Sequence, residues 1–258
     1  MMNSVRISLL HLAPLPGDVR HNRELLKRAV QVAAERGADW VVSPELCTCG
    51  LQFPARLGTD WIEPQPDAWM VAFCQFVKAL ELTVFFSHPE RDAHTGKCYN
   101  TVFMIDADGA IAGAHRKVNV LADSARWSSP GARIAPVTWQ DVKIGLLVCA
   151  DAYTSDISAH LKAQGAELLV SCAAWGPGFH GPNGEWEQRT IETGLPLMVC
   201  NRTGRDHTLS FVGAASLVVK NGKRLLAHHS ARSAVLTFDW NWATMEPLSE
   251  DYHRHDLE

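Results

Sequence analysis

No stretch of this chain reaches the roughly 18 consecutive apolar residues that a membrane-crossing helix needs. The apolar run at residues 7–10 is too short for the core of a secretory signal. We therefore expect no membrane partner and a cytoplasmic location. A basic stripe is missing too: 24 Lys and Arg face 28 Asp and Glu, a formal charge of −4, with no cluster of positive residues. Nucleic acid is excluded as an expected partner, because contact with a phosphate backbone draws on clustered cations. Paired cysteine spacing is absent as well. The seven cysteines, at 47, 49, 74, 98, 149, 172 and 200, are odd in number and follow no repeated interval. Reduced thiols in a reducing compartment are expected. Cys47-Thr48-Cys49 has no second ligand pair at zinc-like spacing, so it reads as local packing and no metal site is expected.

Repeats, low-complexity tracts and Ser/Pro/Gly-rich linkers are lacking, so the 258 residues read as one domain. Its elements alternate in type. Residues 5–10 read as a strand, 23–36 as an amphipathic helix capped by Asn22 and stopped by Gly37, and 40–43 as a strand halted by Pro44. A helix over 67–80 and a strand over 83–87 follow, then a hairpin, 101–106 with 110–115, around Asp106-Ala-Asp-Gly109. Strands are expected at 143–148, 167–171, 197–200, 214–219, 225–228 and 235–238, and helices at 156–164 and 185–193. Mixed α/β architecture accounts for this order. Residues 241–258 have no periodicity and are expected to form a loose tail or an arm toward a partner subunit.

Three reactive side chains of three kinds fall at expected strand ends: Glu45 behind Pro44, Lys117 after the hairpin, and Cys149 after an apolar strand. Open α/β sheets tend to build their sites there. A thiol with a reference pKa near 8.5 needs a base and a neighbouring cation to become a nucleophile at neutral pH. Glu45 could supply the first and Lys117 the second. Lys117 and the Ala150 backbone N–H could also hold the oxyanion of a tetrahedral intermediate. Such chemistry requires no metal and no organic cofactor. Taken singly, each residue has an ordinary alternative: a buried cysteine as a small core hydrophobe, a Lys or Glu as solvated surface.

The ordered motifs Pro44-Glu45, His115-Arg116-Lys117 and Cys149-Ala150-Asp151 resemble those of the nitrilase superfamily of carbon-nitrogen hydrolases. The resemblance extends to Gly37-Ala-Asp-Trp-Val-Val-Ser-Pro-Glu45, Trp175, Arg189, Asn201-Arg202-Thr-Gly204 and the stretch 211–219. It implies a four-layer αββα sandwich, usually paired as a homodimer, and a catalytic triad of Glu45 as base, Lys117 as oxyanion-stabilising cation and Cys149 as nucleophile. Asp123 stands where many members carry a second glutamate, and it joins Ala150 and Trp175 as an expected substrate-binding residue. Leu51 stands where a tyrosine is frequent, which implies a less polar pocket. Asp151 resembles the amidase and carbamoylase branches. The implied reaction is hydrolysis of a small amide or N-carbamoyl amine through a Cys149 thioester. Acyl transfer to an amine, nitrile hydrolysis and a non-catalytic small-molecule-binding relative are the alternatives. A carboxylate-bearing substrate would call for an arginine in the pocket, with Arg126, Arg189 and Arg202 as candidates.

Overall fold

The computed structural model describes residues 4–121, 124–178 and 181–257. The first half runs β1 (Ser4–His11), α1 (Val19–Glu35), β2 (Trp40–Val42), a single turn α2 (Pro54–Leu57), α3 (Ala68–Ala79), β3 (Thr83–Arg91), β4 (Cys98–Ile105) and β5 (Ile111–Arg116). The second half runs β6 (Val137–Trp139), β7 (Val142–Val148), α4 (Ser155–Ala163), β8 (Leu168–Ala173), α5 (Glu185–Thr193) and β9 (Leu197–Asn201). Two short strands, β10 (Arg205–Asp206) and β11 (Leu209–Ser210), precede β12 (Ala215–Lys220), β13 (Lys223–His229) and β14 (Ala234–Asn241). The chain then adds β15 (Glu246–Pro247) and β16 (His253–Asp256).

These strands form two large sheets. One has the order β15-β14-β1-β2-β3-β4-β5, with β16 also on β14; the other has the order β13-β12-β9-β8-β7-β6. In the middle of each, β1-β2-β3 and β7-β8-β9 are parallel. Their residues are buried almost continuously, as strands covered on both faces must be. Helices α1 and α3 bury one face against the first sheet, and α4 and α5 one face against the second, giving the αββα sandwich. Trp40 of the first sheet meets Trp139 of the second edge to face, with Phe85 edge to face against Trp40, and the Trp139 indole N–H donates to Thr83 Oγ1 at 3.0 Å. The two sheets are thereby joined by both apolar area and a satisfied polar tip.

Two local expectations are corrected. Helix α1 starts earlier than residue 23 because Asp18, not Asn22, accepts from the backbone N–H of His21. Asn22 is buried one turn inside the helix, and its amide holds both the N–H and the C=O of Leu15 at 2.7 Å. The stretch after residue 241 is no loose end. His253–Asp256 pairs with Ala234–Thr237 of this chain's own first sheet, and Glu246–Pro247 pairs with Trp240–Asn241. Four residues on an exposed edge have too short a span to show a periodicity, so the sequence pattern concealed them.

Candidate active site

Topology explains why distant residues meet. Strands β3 to β4 and β4 to β5 are antiparallel, so β5 ends at the same edge of the sheet as β2 and β3. Glu45 lies just beyond β2 and Lys117 just beyond β5, and both reach one point above that edge. The second sheet contributes Cys149, immediately after β7. The sheets are stitched together at this end by the Glu45 backbone N–H, which donates to the Ala173 carbonyl at the end of β8.

The Lys117 ammonium donates to Glu45 Oε1 at 2.6 Å, with both groups almost fully buried. Asn100 on β4 donates from Nδ2 to the same oxygen at 2.7 Å, and its carbonyl receives the Lys117 backbone N–H. Sequence reasoning missed Asn100, which lies inside a strand without a motif. Glu45 Oε2 is buried and has no hydrogen-bond partner among the described residues. One carboxylate oxygen is thus committed to holding the lysine, while the other remains open to a proton.

Cys149 occupies a tight 3-10 turn (Cys149–Tyr153) with φ of +44°, a region that non-glycine residues rarely adopt. The turn aims a buried thiol at the cavity that Glu45 and Lys117 also line. Burial pushes the thiol upward from its ordinary pKa, and the Glu45 charge adds to this; Lys117 opposes both. The sulfur is therefore held as a thiol. For Lys117, burial works to discharge the amine, but the adjoining carboxylate outweighs it and the net shift is upward. The lysine stays cationic at neutral pH.

A further carboxylate binds the two strand ends together. Asp151 accepts at Oδ1 from the backbone N–H groups of Val118 and Asn119, at 2.9 and 2.8 Å. At Oδ2 it accepts from Val148 N–H and lies 2.9 Å from His115 Nε2. Asn119 Nδ2 also donates to the Ala150 carbonyl. Burial raises the Asp151 pKa, yet His115 and the backbone donors overcome that penalty and hold the net value below the ordinary range. The segment bearing Lys117 is thus anchored to the segment bearing Cys149 through one ionised side chain.

Glu45, Lys117, Cys149, Tyr153, Trp175 and Phe211 line a cavity of about 550 Å³. Trp175 is fixed by its backbone N–H donating to Asn201 Oδ1, and its ring packs against those of Tyr153 and Trp186. Ala150, next to Cys149 in the chain, is fully buried and is not among the residues that line the cavity. Asp123 lies outside the described residues. Of the three arginines considered for a substrate carboxylate, Arg189 is spent on the carbonyls of Ala152 and Tyr153 and on Glu192, and Arg202 on Asp206 and the Pro14 carbonyl. Neither lines the cavity. Among the described residues, no cluster of three or more His, Cys, Asp or Glu has the arrangement of a metal site. No described helix is long and apolar enough to cross a membrane.

A cysteine, a cation and a carboxylate thus line one cavity between the two sheets of an αββα frame. The chain belongs to the carbon-nitrogen hydrolase family, whose model matches residues 6–248. It is similar to a Schizosaccharomyces pombe protein named as a probable nitrilase, 22% identical over 96% of this chain and 92% of the other. An (R)-stereoselective amidase of Pseudomonas sp. is 28% identical over 86% of this chain and 80% of that one. A solved amidase from Nesterenkonia sp. AN1, at 24% identity, superposes with a TM-score of 0.81 over 94% of this chain and 93% of its own. The protein is therefore an enzyme of the carbon-nitrogen hydrolase family, the nitrilase superfamily.

Proposed function

We propose that the enzyme hydrolyses the carbon-nitrogen bond of a small amide or N-carbamoyl amine through a thioester on Cys149. The observation that carries this reading is the Lys117–Glu45 contact at 2.6 Å, in the same cavity as a cysteine on a strained turn. Glu45 Oε2 takes the thiol proton as Sγ attacks the carbonyl carbon. The ammonium of Lys117 and the Ala150 N–H stabilise the oxyanion. As the intermediate collapses, the C–N bond breaks, and the proton on Glu45 passes to the departing nitrogen. Water then enters and gives a proton to Glu45 as its oxygen attacks the thioester. The acid is released, and the returning proton restores the thiol.

The similarity to amidases supports an amide substrate. In a mutant of the Nesterenkonia amidase, the acetamide moiety of fluoroacetamide is covalently added at the active-site cysteine. Intact-mass measurement after mixing with a panel of small amides and N-carbamoyl amines tests the proposal. A transient mass increase equal to the acyl group, mapped to Cys149 and absent in Cys149→Ala, is expected; turnover by Cys149→Ala would refute it. The same reading takes the chain as a cytoplasmic homodimer, which sedimentation of the purified protein tests.

A further inference from the structure

The cavity beside Cys149 does not stand alone. A second cavity of about 480 Å³ adjoins it, and the two share Leu51, Ser124 and Leu209 in their walls. Beyond these shared residues the second chamber is bounded by Pro54 and Ala55 of α2 and by Trp127, with Gln52, Thr59 and Arg126 as its polar lining. Trp127 is itself braced edge to face against Phe53, which is buried. In the catalytic cavity the only charged side chains among the described residues are Glu45 and Lys117, which already hold each other. Each volume alone lies within the range that accommodates a ligand much larger than acetamide.

The shared wall is built to stay in place. Asp206 accepts from the backbone N–H groups of both Leu51 and Gln52, at 2.7 and 3.0 Å. Its carboxylate is paired with Arg202, and both side chains are fully buried. Gly50, just before Leu51, has φ of +78°, and an added Cβ would come within 2.8 Å of the Pro16 backbone and 2.9 Å of Asp206 Oδ2. The loop can therefore approach its neighbours this closely only with glycine there. Leu51 is presented between the chambers by a buried ion pair and a close backbone contact.

Building on the proposed amide hydrolysis, we infer that the preferred substrate is a primary amide with an extended apolar acyl chain, which runs from Cys149 past Leu51 and Leu209 into the chamber beside Ala55 and Trp127. In a primary amide the acyl chain is the only part that can extend, since the nitrogen carries no substituent. With Lys117 and Glu45 already paired, the described walls of the catalytic chamber offer no further charge, which favours methylenes next to the carbonyl over a carboxylate there, because a buried charge without a partner is costly.

Initial rates across straight-chain primary amides from acetamide to octanamide test this. kcat/KM is expected to rise about two- to fourfold per added methylene until the second chamber is filled, reflecting the transfer of each methylene out of water. Ala55→Trp fills that chamber from an exposed position on α2. It should abolish the gain of the longer amides over acetamide. Protection of Cys149 from iodoacetamide by the same amides reports occupancy independently of turnover. A protection series that is flat with chain length, or one that Ala55→Trp shifts equally at every length, would overturn the inference. Graded protection that Ala55→Trp removes, without hydrolysis at any length, would sustain the chamber assignment and refute the proposed function instead.

Discussion

At the scale of single residues, the proposed triad depends on groups that do not touch substrate. Asp151 carries the largest share, since its two oxygens serve three backbone donors and His115. Asp151→Asn keeps the shape but removes the charge, and its amide cannot accept on both sides. Displacement of Lys117 relative to Cys149 by about 1 Å should lower kcat about 100-fold while KM moves little, because the loss falls on the geometry of the transition state. Steady-state kinetics on a variant shown to be folded by circular dichroism checks this; an unchanged kcat would remove Asp151 from the mechanism. The placing of Glu45, Lys117 and Cys149 at strand ends was legible in the sequence because each follows an expected strand in a short local motif. Asn100 was not, since it is interior to β4 and its partner Glu45 lies 55 residues away. The link between His115 and Asp151 was hidden for the same reason: both belonged to recognised motifs, but their contact exists only after two sheets have packed.

At the scale of elements, the placing of Cys149 depends on how closely α4 crosses β7. Gly145 lies inside β7, and a Cβ there would meet Leu169 Cδ2 at 2.6 Å and Leu161 Cδ1 at 3.0 Å. Two opposing effects decide what Gly145→Ala does. Loss of glycine's freedom in the unfolded chain favours the variant by about 0.4–1 kcal/mol. Overpacking against two buried leucines costs about 1–3 kcal/mol and should win. The midpoint of urea unfolding is expected to fall, and a midpoint at or above the parent value would show that α4 can move away freely. On α3, Asp67 accepts from Met70 N–H at 2.7 Å, so Asp67→Ala should cost about 1 kcal/mol in the same assay. The sequence pattern revealed the three parallel strands and two helices at the centre of each half, because they are apolar runs or amphipathic helices buried on one or both faces. It did not reveal β6, α2 or the short edge strands β15 and β16, whose three, four, two and four residues are too few to carry a period.

At the scale of the molecule, the interior between and around the two sheets holds imidazoles that it keeps uncharged. His11 on β1 is fully buried, with Nδ1 3.0 Å from both the Asn201 carbonyl and Ser216 Oγ on the second sheet. His88 on β3 is buried against Phe86 and Trp69, with Nδ1 2.7 Å from Thr48 Oγ1. Burial, with a lesser contribution from His228, lowers His11 to about 4. Burial, with a lesser contribution from Arg23, lowers His88 to about 3. In the unfolded chain both return to about 6.5. Between those values the unfolded state binds protons that the folded state refuses, so acid favours unfolding. Stability from these two sites is fully present above pH 6.5 and is lost as pH falls toward 4. From pH 7.5 to pH 5 each histidine should cost about 2 kcal/mol, as proton linkage requires. His88→Asn keeps a polar atom near the Thr48 hydroxyl and cannot titrate. Urea unfolding at the two pH values should show a loss about 2 kcal/mol smaller in that variant than in the parent. An equal loss in both would mean that the ring already accepts a proton in the folded protein, and that the sheet interior opens to water near β3.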